Sequence, residues 1–115
     1  MRRGEIRLVD LDPTTGTEAD KIRPAVIVSN DGANTTAARL GRGVLTIVPI
    51  TSNTATIHPF QVLLDKAETG LERESKAQAE QVRSVDLRRL GPRLGTVPGA
   101  AMIELDEALR LHLAL

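Results

Sequence analysis

Two short runs dense in β-branched residues, Pro24-Ala25-Val26-Ile27-Val28-Ser29 and Gly43-Val44-Leu45-Thr46-Ile47-Val48-Pro49-Ile50, most constrain the fold of this chain. They are too short and too continuously apolar for surface helices. Branching at Cβ favours a pleated, packed surface, so both suit buried strands. Between them, Asn30 or Asp31 can cap a helix filled by Ala33 to Leu40, and Gly41 supplies a left-handed stop. Upstream, Glu5 to Asp12 sets Ile6 and Leu8 on one face and Val9 and Leu11 on the other, the alternation of a strand. His58 to Leu64 and Ala77 to Val82 continue the β pattern, giving roughly five strands. Pro13 to Lys21 is rich in Thr, Gly and acidic residues and has no period, so it reads as a long exposed loop.

Toward the end, Ser84 is expected to cap a short helical piece from Val85 to Leu90, stopped by Gly91-Pro92. Pro98 suits a first helical turn, and Met102, Leu105, Leu109 and Leu113 form one apolar stripe of a terminal helix. From Leu105 to Leu115 apolar residues cover more of the helix than one sheet face needs. The excess face is expected to bury against a second copy, with deeper burial in its own core as the plainer alternative. A length of 115 residues supports one hydrophobic core, and a single domain over residues 1–115 is expected. The fold class is α+β: a strongly bent antiparallel sheet or small barrel, with short helices and a C-terminal amphipathic helix.

Several functions are disfavoured. No stretch approaches the roughly 20 apolar residues of a membrane span. There is no cysteine, and the amino terminus runs into a strand with no apolar signal region, so a cytoplasmic location is expected. His58 and His112 stand apart without ligand-spaced partners, and Gly41-Arg42-Gly43 is too short to cradle a phosphate. Neither a metal nor another cofactor is expected. Ser29, Ser52, Ser75 and Ser84 lack a nucleophile-elbow setting. Fifteen Lys and Arg balance fifteen Asp and Glu, so any nucleic-acid contact must rest on local charge. Phe60 is the only Phe, Tyr or Trp, which nearly removes base stacking, worth about 1–3 kcal/mol per base.

The polar residues that stand out lie at strand ends. Arg23 precedes one buried run and Thr51-Ser52-Asn53 follows the other. In a folded-over sheet both can face the Pro13 to Lys21 loop, where an arginine, a hydroxyl and Glu18 would converge. Spacing alone leaves open whether Arg23 is a site residue or a solvated one.

Gly4-Glu5-Ile6-Arg7-Leu8-Val9-Asp10-Leu11-Asp12-Pro13, then Gly16-Thr17-Glu18 and Arg23-Pro24-Ala25-Val26-Ile27-Val28-Ser29-Asn30, resemble the opening signature of the MazF/PemK toxin family. The resemblance continues through Val48-Pro49-Ile50-Thr51-Ser52, Pro59-Phe60-Gln61-Val62, Glu80-Gln81-Val82-Arg83-Ser84 and Leu105-Asp106-Glu107-Ala108-Leu109. It spans essentially the whole chain. It implies an SH3-like barrel of the CcdB/PemK type, a homodimer, metal-independent cleavage of single-stranded mRNA at short motifs, and a MazE-like antitoxin. Residue by residue, the family's catalytic arginine and threonine fall on Arg23 and Thr51.

The chemistry so implied is transesterification, in which the 2′-hydroxyl attacks its own phosphate and leaves a 2′,3′-cyclic phosphate and a 5′-hydroxyl. A fixed guanidinium stabilises the charge that builds on the nonbridging oxygens, and a Thr51 hydroxyl can donate to the same oxygens. An arginine at its ordinary pKa is a poor base, so the candidates for proton transfer are Glu18, His58, or Arg23 itself if substrate binding perturbs it. Thr17, Ser52, Gln81 and Arg83 are candidates for substrate binding, with barrel-edge structural roles as the alternative for the last two. Arg7 stands where relatives often carry an aromatic, and Thr17 where serine is commoner. Two other readings fit the same fold: a CcdB-like gyrase poison, and a noncatalytic RNA- or protein-binding barrel. The pairing of Arg23 with Thr51 favours the nuclease.

Overall fold

In the computed structural model, seven strands and three helices follow one another as β1 (Glu5–Asp10), β2 (Ile22–Ile27), α1 (Asp31–Leu40), β3 (Val44–Thr51), β4 (Gln61–Leu64), α2 (Lys66–Thr69), β5 (Ser75–Gln78), β6 (Arg83–Asp86), β7 (Leu90–Thr96) and α3 (Gly99–Leu113). Single 3₁₀ turns at Ala79–Gln81 and Leu87–Arg89 flank β6. All recorded pairings are antiparallel, in the order β4-β5-β3-β2-β1-β7, with β6 beside the first half of β3. The edge of β3 that pairs with β6 through Val44 to Ile47 pairs with β5 through Ile50 and Thr51. The ladder is not closed: β4 and β7 are its free ends, so the expected barrel is an open sheet.

The central strands bury both faces, as their unbroken apolar runs predict. On one face Ile6, Val26, Val48 and Ile50 join Val62, Leu64 and the α3 residues Leu105 and Ala108. On the other, Val9, Leu11, Ala25, Ile27 and Ile47 pack with Val85. The register follows the alternation, with Ile6 opposite Val26, Val26 opposite Val48 and Ile27 opposite Ile47. Burying one side chain such as Leu105, which has no exposed surface, stabilises the fold by about 2 kcal/mol.

The first helix has the expected ends. Asn30 Oδ1 accepts from the Ala33 N–H, and Gly41 takes the left-handed stop at φ 67°. The region after Ser75 differs from expectation. The strand expected over Ala77 to Val82 ends at Gln78, and the helical piece expected from Val85 is strand β6. Val85 is buried opposite Leu45, and that burial outweighs the local helix signal. The following turn is capped by Asp86, which accepts from the Arg88 N–H. β7 was hidden because Gly91, Pro92 and Gly95 interrupt its pattern; it is an edge strand, where proline costs no internal ladder bond. In α3, Leu105 is fully buried, whereas Leu113 is 48% exposed and lies outside the expected inward stripe. No helix is long and apolar enough to cross a membrane.

Candidate active site

β2 and β3 pair with Ala25 opposite Pro49. Two residues further along each strand stand Arg23 and Thr51, so the ladder that builds the core brings these strand ends together. Both line one cleft of about 430 Å³, together with Ser52. Leu8, Pro24 and Ile50 contribute to its lining from β1, β2 and β3, and Gly70 to Arg73 and Leu94 contribute from the α2–β5 turn and β7. The Thr51 hydroxyl oxygen accepts from the Asn53 N–H at 3.2 Å, which leaves its proton available to donate.

The Arg23 guanidinium is held from one side. Its Nε donates to the Asp20 carbonyl at 2.8 Å and its Nη2 to Asp20 Oδ1 at 3.0 Å. The hydrogen bond from Arg23 is the main cause that holds the Asp20 carboxyl below its ordinary 3.8, so Asp20 is ionised at neutral pH. Nη1 has no partner within the chain, leaving the far edge of the fork for a ligand.

Of the other candidate residues, Thr17 and Glu18 lie on the β1–β2 loop, exposed and outside the lining of the cleft. Glu18 Oε2 accepts from the Thr15 N–H at 3.3 Å. Gln81 and Arg83 do not line the cleft either. Gln81 Oε1 accepts from the Ala19 N–H and its Nε2 donates to the Thr17 carbonyl, both at 3.0 Å. Arg83 Nη1 donates to the Leu11 carbonyl at 3.0 Å. Both side chains therefore fasten the loop that leads to Arg23. His58 is stacked on Phe60, with centroids 5.3 Å apart and planes at 11°, and His112 of α3 lies beyond that ring. It does not line the cleft.

Sequence reasoning missed Asp20, because outside a helix a spacing of three residues does not by itself pair an acid with an arginine. It also missed Arg73, an exposed second guanidinium lining the cleft, which sits in a turn with no strand pattern to place it. Lys76 was missed as well: it is buried opposite Thr51, and its Nζ donates to the Thr56 carbonyl at 2.6 Å, tying down the segment that follows Thr51. No three His, Cys, Asp or Glu side chains are grouped so as to hold a metal ion. A guanidinium edge, a hydroxyl and a second arginine around an open cleft can bind a phosphodiester and stabilise charge gained on it.

The model of the family described as "PemK-like, MazF-like toxin of type II toxin-antitoxin system" matches residues 2–113. The chain belongs to this toxin family. It is 61% identical over 115 residues to Endoribonuclease MazF9 of Mycobacterium tuberculosis, covering 100% of this chain and 98% of the relative. It is 34% identical to Endoribonuclease MazF of Staphylococcus epidermidis over 115 residues, covering 100% and 92%. Among solved structures, MazF from Deinococcus radiodurans superposes with a TM-score of 0.83 at 26% identity, covering 100% of this chain and 97% of that one. A mycobacterial endoribonuclease in complex with its cognate antitoxin superposes with a TM-score of 0.78 at 26% identity, covering 100% and 96%. The likeness to these structures supports the α+β class, with the sheet of this chain open at β4 and β7.

Proposed function

We propose that this protein is a MazF-type endoribonuclease, the toxin of a type II toxin-antitoxin pair, acting on single-stranded RNA in the cytoplasm and inhibiting translation and growth. The observation that carries this reading is the placement of Arg23 and Thr51 by the β2–β3 register on one open cleft. The scissile phosphate sits between them. The RNA 2′-oxygen bonds to phosphorus as the bond to the 5′-oxygen breaks; the 2′-hydroxyl loses its proton and the departing 5′-oxygen gains one. Arg23 and Thr51 stabilise the negative charge on the nonbridging oxygens of the transition state. One such donor lowers the barrier by roughly 3 kcal/mol. No step calls for a metal, and DNA, without a 2′-hydroxyl, is not cut. Ser52 and Arg73 hold the flanking backbone, Thr17 contacts RNA from the loop, and Glu18 shapes that loop through Thr15.

The exposed apolar side of α3 supports a homodimer. Ile103 and Leu111 are 66% and 58% exposed, and they line a groove with Pro59 and Val62. A MazE-like antitoxin with an acidic, extended carboxy-terminal segment is the expected partner, since such a segment matches the charge of Arg23 and Arg73 as RNA does.

The test is cleavage of a long single-stranded RNA in EDTA by wild type, Arg23→Ala and Thr51→Ala, with mapping of the product ends. Discrete cuts with 5′-hydroxyl ends, lost in both variants, are expected. Folded wild-type protein that leaves RNA intact would move the assignment to gyrase inhibition or to noncatalytic binding.

A further inference from the structure

We propose that Asp20 is a positioning residue for Arg23: it holds one edge of the guanidinium so that the other edge alone faces the phosphate. The inference rests on Arg23 being the catalytic arginine. A guanidinium carries five N–H donors in one plane and can offer a two-pronged fork from either its Nε/Nη2 edge or its Nη1/Nη2 edge. In this chain Asp20 takes the first edge completely, its backbone carbonyl receiving Nε and its carboxylate Nη2. The second edge has both Nη1 protons and one Nη2 proton free, which is the pattern that meets two oxygens of one phosphate.

Asp20 can do this because its own backbone is fixed. On one side Gln81 Oε1 receives the Ala19 N–H, and on the other the Lys21 N–H donates to Asp12 Oδ1 at 3.0 Å. Lys21 adopts a left-handed φ of 65°, turning the chain sharply before β2. The loop is therefore tied on both sides of Asp20. Arg23 is 34% exposed and Asp20 44%, so the pair adds little to stability. Its consequence is orientation. A long side chain at the mouth of an open cleft loses rotamer freedom before RNA arrives, and less ordering remains for the transition state. The carboxylate also offsets part of the guanidinium charge, which weakens the hold on cleaved RNA.

The experiment measures initial cleavage rates against RNA concentration, at two salt concentrations, for wild type, Asp20→Ala, Asp20→Asn and Arg23→Ala, each checked for folding by circular dichroism. Asp20→Ala is expected to lower kcat about 10-fold to 100-fold. Asp20→Asn keeps an oxygen that accepts from Nη2, so its kcat stays within about threefold of wild type, while KM falls and the salt dependence steepens. Three outcomes overturn the proposal. Asp20→Ala as active as wild type removes the positioning role, and Asp20→Ala more active makes Asp20 a competitor of the phosphate. Asp20→Asn as impaired as Asp20→Ala makes the negative charge, not the orientation, the working feature. An Arg23→Ala protein that cuts normally would instead overturn the catalytic assignment itself.

Discussion

Gln81 and Thr17, 64 residues apart in sequence, are joined by a hydrogen bond of 3.0 Å from the Gln81 side-chain amide to the Thr17 carbonyl. The other end of the same amide receives the Ala19 N–H, so one side chain grips the β1–β2 loop at two points two residues apart. With Arg83 on the Leu11 carbonyl and Arg89 on the carbonyls of Asp10 and Asp12, the segment around β6 fastens the whole approach to Arg23. Gln81→Ala removes both bonds, at a net cost of about 1–2 kcal/mol concentrated in the loop. The Ala19 amide is expected to exchange with deuterium faster while core amides are unchanged, and cleavage to fall about tenfold. An unchanged Ala19 exchange rate would show that the loop is held by other means.

The wall of the cleft depends on a close approach between α2 and β7. A Cβ added to Gly95 would lie 1.7 Å from the Thr69 carbonyl oxygen, and that neighbour is backbone, with no side chain to swing aside. Gly95→Ala is therefore expected to destabilise the protein by about 3 kcal/mol, as overpacking does at rigid contacts. Gly99→Ala has open space around the new methyl group and serves as the control. Urea midpoints of the two variants should differ clearly; equal midpoints would mean that α2 can lift from β7 at little cost.

Much of this was legible in the chain because the strongest local signals agree with the tertiary arrangement. The β-branched runs around Val26 and Ile47 are buried on both faces, and Asn30 and Gly41 end α1 as their chemistry dictates. What was not legible is non-local. Val85 has a helical neighbourhood but a strand partner in Leu45. Gln81 and Arg83 have side chains suited to reading RNA, yet a loop 60 or more residues earlier satisfies them. Arg7, standing where relatives often carry an aromatic, donates from Nε to Glu5 Oε1 and from Nη1 to the Gly91 carbonyl, so it ties β1 to β7. No spacing rule reveals such partners, because strand order decides them.

Glu5 gives the fold a pH dependence. Burial alone would push its carboxyl up, but the Arg2 N–H, the terminal amine and Arg7 together outweigh burial and hold it below the ordinary 4.5. A carboxyl depressed by folding stabilises the native state above its unfolded pKa, and that contribution disappears as pH falls through the folded value. Glu5→Gln is therefore expected to lower the urea midpoint at pH 7, by an amount that shrinks as the pH is lowered toward 3. A gap that persists undiminished at pH 3 would assign the loss to packing.

The apolar surface of α3, larger than its core contact needs, marks where the proposed homodimer can be broken. Ile103 and Leu111 are eight residues apart, two turns of one helical stripe, and together with Pro59 and Val62 they flank a groove that Leu105 and its neighbours do not fill. Leu111→Glu adds a charge to a side chain already 58% exposed, so the isolated fold should tolerate it within about 0.5 kcal/mol. Across a two-fold interface each change is made twice, and two buried, unpaired carboxylates near Glu104 and Glu107 repel strongly. Light scattering should report about twice 12.4 kDa for wild type and the single mass for the variant, with an unchanged circular dichroism spectrum. If Leu111→Glu stays dimeric while folded, the partner copy sits on another face, and the exposed stripe of α3 is left for the antitoxin.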